Sequence, residues 1–322
     1  QTFGSFSISF YEPIHKYFTL RFTNRYSFTQ VKNTTNLWYS SPLGDSYSVL
    51  NPLLSGTFER QQHEVFFAQK LAFQYKNLTL IAGIDETLLR SKLHTSAETE
   101  GIERNIQKLN PNLNITFDNL TLTYNKSYNL PSYSYLLPVF DNSNPYYVAK
   151  GNPRLLPTST AEWMLSYNYN NQTKNINIWW YSSFQQRDND IIQNITIDKQ
   201  GIQTSSPVNA DGTRNLYMNL NINKDFKLGE KNKLTLSAGG YYSINRSKMI
   251  FNADTSWQTT NQLSNWYGIN FYYKDKIEWN NSYSPDFNFT SYSSPNFTGL
   301  KATLHNFNTN LVIRWTKNLI LE

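Results

Sequence analysis

The chain has 322 residues, a formal net charge of +6, no cysteine, and 16% aromatic against 39% hydrophobic residues. The missing cysteine excludes a disulfide framework, a thiolate metal site and a cysteine nucleophile. Lys and Arg are scattered singly instead of forming a basic stripe, which argues against nucleic acid as a partner. Tyr (23), Phe (20) and Trp (8) stand beside abundant Asn, Ser and Thr. Such a chain lacks the aliphatic residues that fill a soluble core and suits a pleated, two-faced surface.

Period-two alternation starts at once, with Phe6, Ile8 and Phe10 against Ser5, Ser7 and Ser9. It returns in "LTLTYN" from Leu120, over 160–169, and in "INIWW" from Ile176. In "LYMNLNIN", Leu216, Met218, Leu220 and Ile222 oppose Tyr217, Asn219, Asn221 and Asn223. In "LTLSAGGYYSIN", Leu234, Leu236, Ala238, Gly240, Tyr242 and Ile244 oppose Thr235, Ser237, Gly239, Tyr241, Ser243 and Asn245. Alternation continues over 258–273 and in "NLVIRW" from Asn310, and each such segment predicts a strand. No apolar run reaches the roughly 18 residues of a membrane helix, but segments 160–169, 213–226, 234–247 and 258–273 meet the about 9 to 11 residues of a tilted membrane-crossing strand. The start, "QTFGSFSISFYEP", carries no signal-peptide pattern, and "RWTKNLILE" stops inside what reads as a new strand, so both ends look cut.

Connections alternate between two lengths. Tight turns are expected at Glu12–Lys16, Lys76–Asn77, Asp118–Asn119, Asn170–Lys174, Lys227–Lys233, Lys274–Lys276 and Thr316–Asn318. Long polar loops are expected at 33–57, 94–110, 129–158, 188–213, 248–258 and 293–299. This alternation predicts an all-β fold: one antiparallel up-and-down transmembrane β-barrel domain over residues 1–322, with about fourteen strands. Tyr11, Tyr75, Phe117, Tyr169, Phe226, Tyr273 and Trp315 each precede a tight turn. Stacked around a barrel, they would form an aromatic girdle at one membrane interface.

Chemistry-bearing constellations are weak. His15, His63, His94 and His305 have no metal-ligand spacing and read as turn or loop histidines. Asp188 and Asp190, with "NADG" at 209–212, offer some of the oxygens of a Ca²⁺ site but no full ligand set, and read as solvated turns. Glu98, Glu100 and Glu103 form a charge run of the solvated kind. Asn-x-Ser/Thr triplets such as those at Asn77, Asn119, Asn171, Asn194 and Asn288 follow from composition and are not read as glycosylation sites. No catalytic set, cofactor or metal is expected. The face opposite the apolar one is built of Ser, Thr, Asn and Tyr and suits water, sugars or a packed protein plug.

"NLTLTYNKSYNLPSYSYLLPVFDNSNPYYVAKGNPRLLPTSTAEWMLSYNYN" resembles the barrel of TonB-dependent receptors, the outer-membrane β-barrel family related to SusC-like and other large Gram-negative receptors. The resemblance rests on Pro131 and Tyr133, then Gly151, Asn152, Pro153, Leu155 and Pro157, then Glu162, Ser166 and Tyr167. The chain departs from the pattern at Asn129-Leu130, where Arg is usual, and at Thr158, where Glu is common. Physically, Gly151 permits a tight turn, while Pro153 and Pro157 stiffen the loop and withhold donors.

The resemblance implies an internal to C-terminal part of a 22-stranded barrel in the bacterial outer membrane. Expected partners are outer-membrane lipid and lipopolysaccharide, a plug domain outside this chain, the TonB complex acting through that plug, and a surface lipoprotein. The implied activity is uptake of a siderophore, oligosaccharide, peptide or cofactor. Trp38, Tyr39, Tyr146, Tyr147 and Trp257 are the loop aromatics placed to stack on such a ligand. The alternatives are a non-transporting structural or interaction barrel, and a passive 14-stranded channel.

Overall fold

The alternating segments fold as strands in a computed structural model, which describes every residue except 37, 41–46, 51–55, 96–97, 137–140, 145, 275, 317–318 and 322. In chain order the elements are β1 (Thr2–His15), β2 (Phe18–Thr35), β3 (Trp38–Ser40), β4 (Tyr47–Leu50), β5 (Gly56–Tyr75), β6 (Leu78–Thr95), β7 (Glu98–Phe117) and β8 (Leu120–Asn129). There follow the one-turn helix α1 (Tyr133–Leu136), β9 (Asp141–Asn144), β10 (Tyr147–Ala149), β11 (Thr158–Asn171), β12 (Ile176–Asp188), β13 (Asp190–Ile197) and β14 (Gln203–Ala210). The chain closes with β15 (Thr213–Lys227), β16 (Asn232–Phe251), β17 (Asp254–Tyr273), β18 (Ile277–Tyr292), β19 (Leu300–Thr316) and β20 (Leu319–Leu321).

Antiparallel pairing makes one continuous wall in the order β1-β2-β5-β6-β7-β8-β11-β12-β15-β16-β17-β18-β19-β20, fourteen strands among the described residues. β3 and β4 form a separate hairpin inside the first long connection. β13 and β14 form a second hairpin on the loop side, and β10 adds to β14 in parallel. Among the described residues β1 pairs with β2 alone, and β20 covers β19 only near Ile313–Thr316, so the wall is an open sheet.

Directly paired residues share a face, so the register sorts side chains into two surfaces. One row crosses seven strands as Leu122, Leu165, Ser182, Met218, Tyr242, Leu263 and Phe287. The adjacent row, on the other face, reads Thr123, Met164, Ser183, Tyr217, Ser243, Gln262 and Asn288. Apolar and polar faces are therefore separated across these seven strands. On the apolar face, Met218, Leu263 and Phe287 are 38%, 40% and 41% exposed. Left in water at that exposure, each such side chain would forfeit roughly 1 kcal/mol, and the sum over the whole face calls for an apolar solvent. Even polar groups there are paired within the sheet: the Tyr26 hydroxyl meets His63 Nδ1 at 2.8 Å and the Tyr283 hydroxyl meets His305 Nδ1 at 2.8 Å.

Several expectations are corrected. Within 94–110 the described residues are strand, not loop: β6 and β7 run in register to Leu93↔Ile102 and, past a register shift, pair again at Thr95↔Glu98, with Glu103 bridging to Arg90 at 2.6 Å and Lys92 at 3.8 Å. The stretch 248–258 is also strand, closed by Asn252 (φ 47°) and Ala253 (φ 66°). Residues 188–213 hold the β13–β14 hairpin. The first tight turn shrinks to residues 16–17, because β1 shifts register between Pro13 and His15 and continues to His15. All four histidines lie in strands. The last expected turn, at Thr316–Asn318, falls largely outside the described residues.

Candidate functional site: a loop platform over the polar face

The segment from Gly151 to Pro157 is anchored on the loop side of the polar face. Leu155 is fully buried and clusters with Leu93 and Leu136, with Val31 and Ile191 packed against them. Val31 and Leu93 both pair with Arg60, which puts them on the polar face, so the loop folds over that surface. Arg104, also on the polar face of β7, donates through its two terminal guanidinium nitrogens to the carbonyls of Leu155 and Pro153. The planar fork of Arg suits two neighbouring acceptors, and the lysine point charge does not. Asn152 holds both flanks: its backbone nitrogen donates to Tyr135 O at 2.6 Å, and its side-chain nitrogen donates to Pro207 O at 3.0 Å. Its side-chain oxygen accepts from the Arg154 nitrogen at 3.0 Å.

Asn209 on β14 clamps the next residue. Its Oδ1 accepts from Leu156 N at 2.8 Å, while its Nδ2 donates to Leu156 O at 3.0 Å and Asn189 O at 2.8 Å. Thr158 donates to the same Asn189 carbonyl at 3.1 Å. The motif segment, the β13–β14 hairpin and the head of β11 thus form one platform. Asp190 lies 4.0 Å from Arg187, and Asp211 accepts from Asn189 N at 2.7 Å, so both carboxylates serve the turns around this platform.

Below the platform the polar face carries a stripe of rings. Trp179 stacks near Tyr181 at 6.2 Å, Tyr181 meets Tyr217 at 6.1 Å, and Tyr217 meets Tyr241 at 5.9 Å. Asn219 donates to the Tyr217 hydroxyl at 3.1 Å, and Asn221 donates to Asn219 Oδ1 at 3.2 Å. Trp266 covers Gly239, where a Cβ would come within 2.5 Å of the indole. Around this stripe the wall consists of neutral amides and hydroxyls. Ion pairs lie farther out on the same face on both sides of the stripe: Arg25–Glu64 at 3.1 Å and Lys70–Asp85 at 3.6 Å between β2 and β6, and Lys233–Asp225 at 3.0 Å and Arg314–Glu278 at 3.2 Å between β15 and β19.

The loop aromatics named from the sequence lie on separate elements. Trp38 sits on the separate β3–β4 hairpin, 49% exposed, and the Tyr39 side chain lies outside the described residues. Tyr146 and Tyr147, 70% and 40% exposed, flank the β10–β14 pairing. The Trp257 ring is taken up by Arg246 at 4.6 Å and Lys248 at 5.3 Å. Of the residues before tight turns, Tyr75, Phe117, Tyr169, Phe226 and Tyr273 share the apolar face through their paired partners Leu78, Ile178, Leu234 and Ile277. Tyr11 falls on the other face, paired with Arg21, whose guanidinium lies 5.9 Å from its ring. Tyr17 stands at that turn instead, 5.2 Å from Tyr75. Trp315 lies in β19, and its side chain is outside the described residues.

The ring stripe, Arg104 and Asn209 were not singled out from the sequence. Tyr217 and Tyr241 lay in view as members of the polar face, but their contact depends on register. Arg104 sits where alternation fails.

Among solved structures, the copper transporter OprC aligns over 99% of this chain and 58% of its own, at 10% identity and a TM-score of 0.45. The siderophore receptor PirA from Acinetobacter baumannii aligns over 98% and 56%, at 10% identity and a TM-score of 0.39. The outer membrane transporter YddB from Escherichia coli aligns over 96% and 55%, at 10% identity and a TM-score of 0.41. The chain spans little more than half the length of these proteins. No curated protein matches it. The model of the outer membrane protein beta-barrel family matches residues 1–318. With an apolar face that needs lipid, a polar face under a loop platform and a family match from end to end, the chain is a bacterial outer-membrane protein and belongs to the outer membrane protein β-barrel family.

Proposed function

We propose that this chain forms part of the wall of a TonB-dependent receptor that takes up a polar, ring-bearing ligand across the outer membrane. The observation that carries the reading is the stripe Trp179, Tyr181, Tyr217 and Tyr241 on a neutral amide and hydroxyl wall, beneath an anchored loop platform. Rings and amides bind the flat faces and hydroxyls of sugars, siderophores or cofactors without demanding charge. An oligosaccharide fits this surface best among the substrate classes that such receptors serve.

The open sheet favours a wall wider than fourteen strands, with a lumen that a plug domain fills. A passive fourteen-stranded channel would need β1 to pair with the opposite edge, and among the described residues β1 pairs only with β2. The plug and the TonB contact lie outside this chain, as would any surface lipoprotein that hands over the ligand.

The test is uptake of labelled oligosaccharide, siderophore, peptide and cofactor panels by cells carrying the full-length protein, with and without TonB. The expected result is uptake of one class, lost without TonB and reduced about tenfold or more by Tyr217→Ala with Tyr241→Ala. Uptake that persists without TonB would identify a passive channel. A folded protein that takes up nothing would identify a structural barrel.

A further inference from the structure

The loop platform closes over a small space in which two guanidinium groups meet. Arg60, Ser91 and Arg104 line it from the wall, and Leu130, Pro131 and Leu136 line it from the segment that follows β8. Arg60 and Arg104 stand on either side of β6 on the polar face, since Arg60 pairs with Leu93 and Arg104 with Ser91. On β5 the lipid-facing run from Tyr75 to Val65 matches the roughly 9–11 residues of a bilayer crossing, so this space lies beyond the membrane on the loop side.

The lining brings two positive charges together and contains no carboxylate. Arg104 directs its two terminal nitrogens to the carbonyls of Leu155 and Pro153, which carry no charge. Arg60 makes no side-chain hydrogen bond or ion pair among the described residues, and its Nε is buried without an acceptor. Ser91, only 8% exposed, likewise makes no side-chain hydrogen bond among them. The carboxylates nearby in the sheet are turned elsewhere: Glu64 pairs with Arg25, and Glu59 and Glu103 lie on the opposite face. Burial disfavours the charged form of both arginines and draws their pKa values below the ordinary range. A guanidinium stays protonated all the same, so the buried charge calls for an anion.

The space left between them is about 20 Å³, room for one occupant near the size of a water molecule. Phosphate, sulfate and organic acids are too large to enter it whole. We propose that a single small inorganic anion of the halide class, with chloride as its common member, binds between Arg60 and Arg104 and accepts from the Ser91 hydroxyl. A water molecule would fill the volume but leave both charges unopposed. The apolar side chains of Leu130, Pro131 and Leu136 keep bulk solvent away, which strengthens the attraction. The ion joins β5 to β7 and holds the Arg104 fork against the motif segment. This site is independent of what the barrel transports and of TonB.

The test uses the full-length protein purified in detergent and exchanged into isethionate buffer, with chloride or bromide then added back at constant ionic strength. Amide hydrogen exchange over 130–136 and 151–157 reads the state of the platform. Halide at roughly ten times its dissociation constant should slow exchange there about tenfold, by linkage. Arg60→Gln should abolish this halide dependence. Lys108→Gln removes the same charge from the polar face of β7 outside the space and should preserve it. Crystals of the wild-type protein grown in bromide should show an anomalous peak between the Arg60 and Arg104 guanidinium groups, and this measurement decides if Arg60→Gln does not fold. Exchange that ignores halide, together with no bromide peak, would overturn the proposal. So would halide dependence that persists in folded Arg60→Gln, or equal slowing by isethionate. A carboxylate of the full-length chain found between the two guanidinium groups would overturn the assignment to a free ion.

Discussion

Arg104 on β7 grips the carbonyls of Pro153 and Leu155, tying the polar face of the wall to a loop some fifty residues later in the chain. Each hydrogen bond from a charged donor contributes on the order of 1.5–3 kcal/mol. Arg104→Ala should therefore release residues 150–157, seen as faster amide exchange there and as new protease cleavage. Arg104→Lys should fail to restore protection, because a single ammonium does not reproduce the fork. Protection in the lysine variant equal to wild type would show that charge alone holds the loop.

Asn209 makes a sharper case because its acceptor and donor ends have different partners. Asn209→Asp keeps the oxygen for Leu156 N but turns a second oxygen toward the carbonyls of Leu156 and Asn189. The expected cost is about 1–3 kcal/mol, read as loosening of both the motif segment and the β13–β14 hairpin by hydrogen exchange. Loosening of one without the other would mean that the two are not one platform.

The assignment of faces predicts an asymmetry between neighbours. Leu220 shares the apolar row with Trp180 and Gly240, whereas Asn221 is paired with Trp179 and Gly239 on the polar face. Leu220→Arg should destabilise the folded barrel by about 2–4 kcal/mol in a bilayer, with Asn221→Arg well below that. Urea unfolding in vesicles of the full-length protein measures both. Equal losses would contradict the register.

Gly239 leaves room for the Trp266 ring and for the carbonyl of Leu220, each about a bond length and a half from where a Cβ would stand, at 2.5 and 2.6 Å. Gly239→Val should shift β16 against β17 and lower the folded fraction, read by heat-dependent mobility. Gly4→Val, where a Cβ meets nothing within 4 Å, should be silent.

Much of this architecture is legible in the sequence where one face meets lipid and the other water, since that contrast alone creates period two. Leu234 to Ile244 shows it without ambiguity. Where strands run past the membrane, both faces meet water and the period vanishes. In β7, Glu103, Asn105 and Gln107 alternate with Arg104, Ile106 and Lys108, so a paired strand reads as a charged loop. β strands of 20 residues, such as β5, β7, β16 and β17, reach roughly 66 Å at about 3.3 Å per residue, well beyond a bilayer crossing. The platform was half legible: Gly151, Asn152, Pro153, Leu155 and Pro157 stand out as a motif, but their anchors come from residues fifty positions away. The face of Tyr11 is legible in the period-two run itself, since it follows Phe10 and falls with Ser5, Ser7 and Ser9, and the register shift between Pro13 and His15 lies beyond it.

The claim that this wall belongs to a large receptor is tested most directly by the intact mass of the native protein. It would be extracted from outer membranes and detected with an antibody to the exposed hairpin tip at residues 196–201. A wall completed to some 22 strands around a plug predicts a species more than about twice the 37.6 kDa of this chain. A species near 37.6 kDa would contradict the receptor reading and point to a barrel closed by these fourteen strands alone.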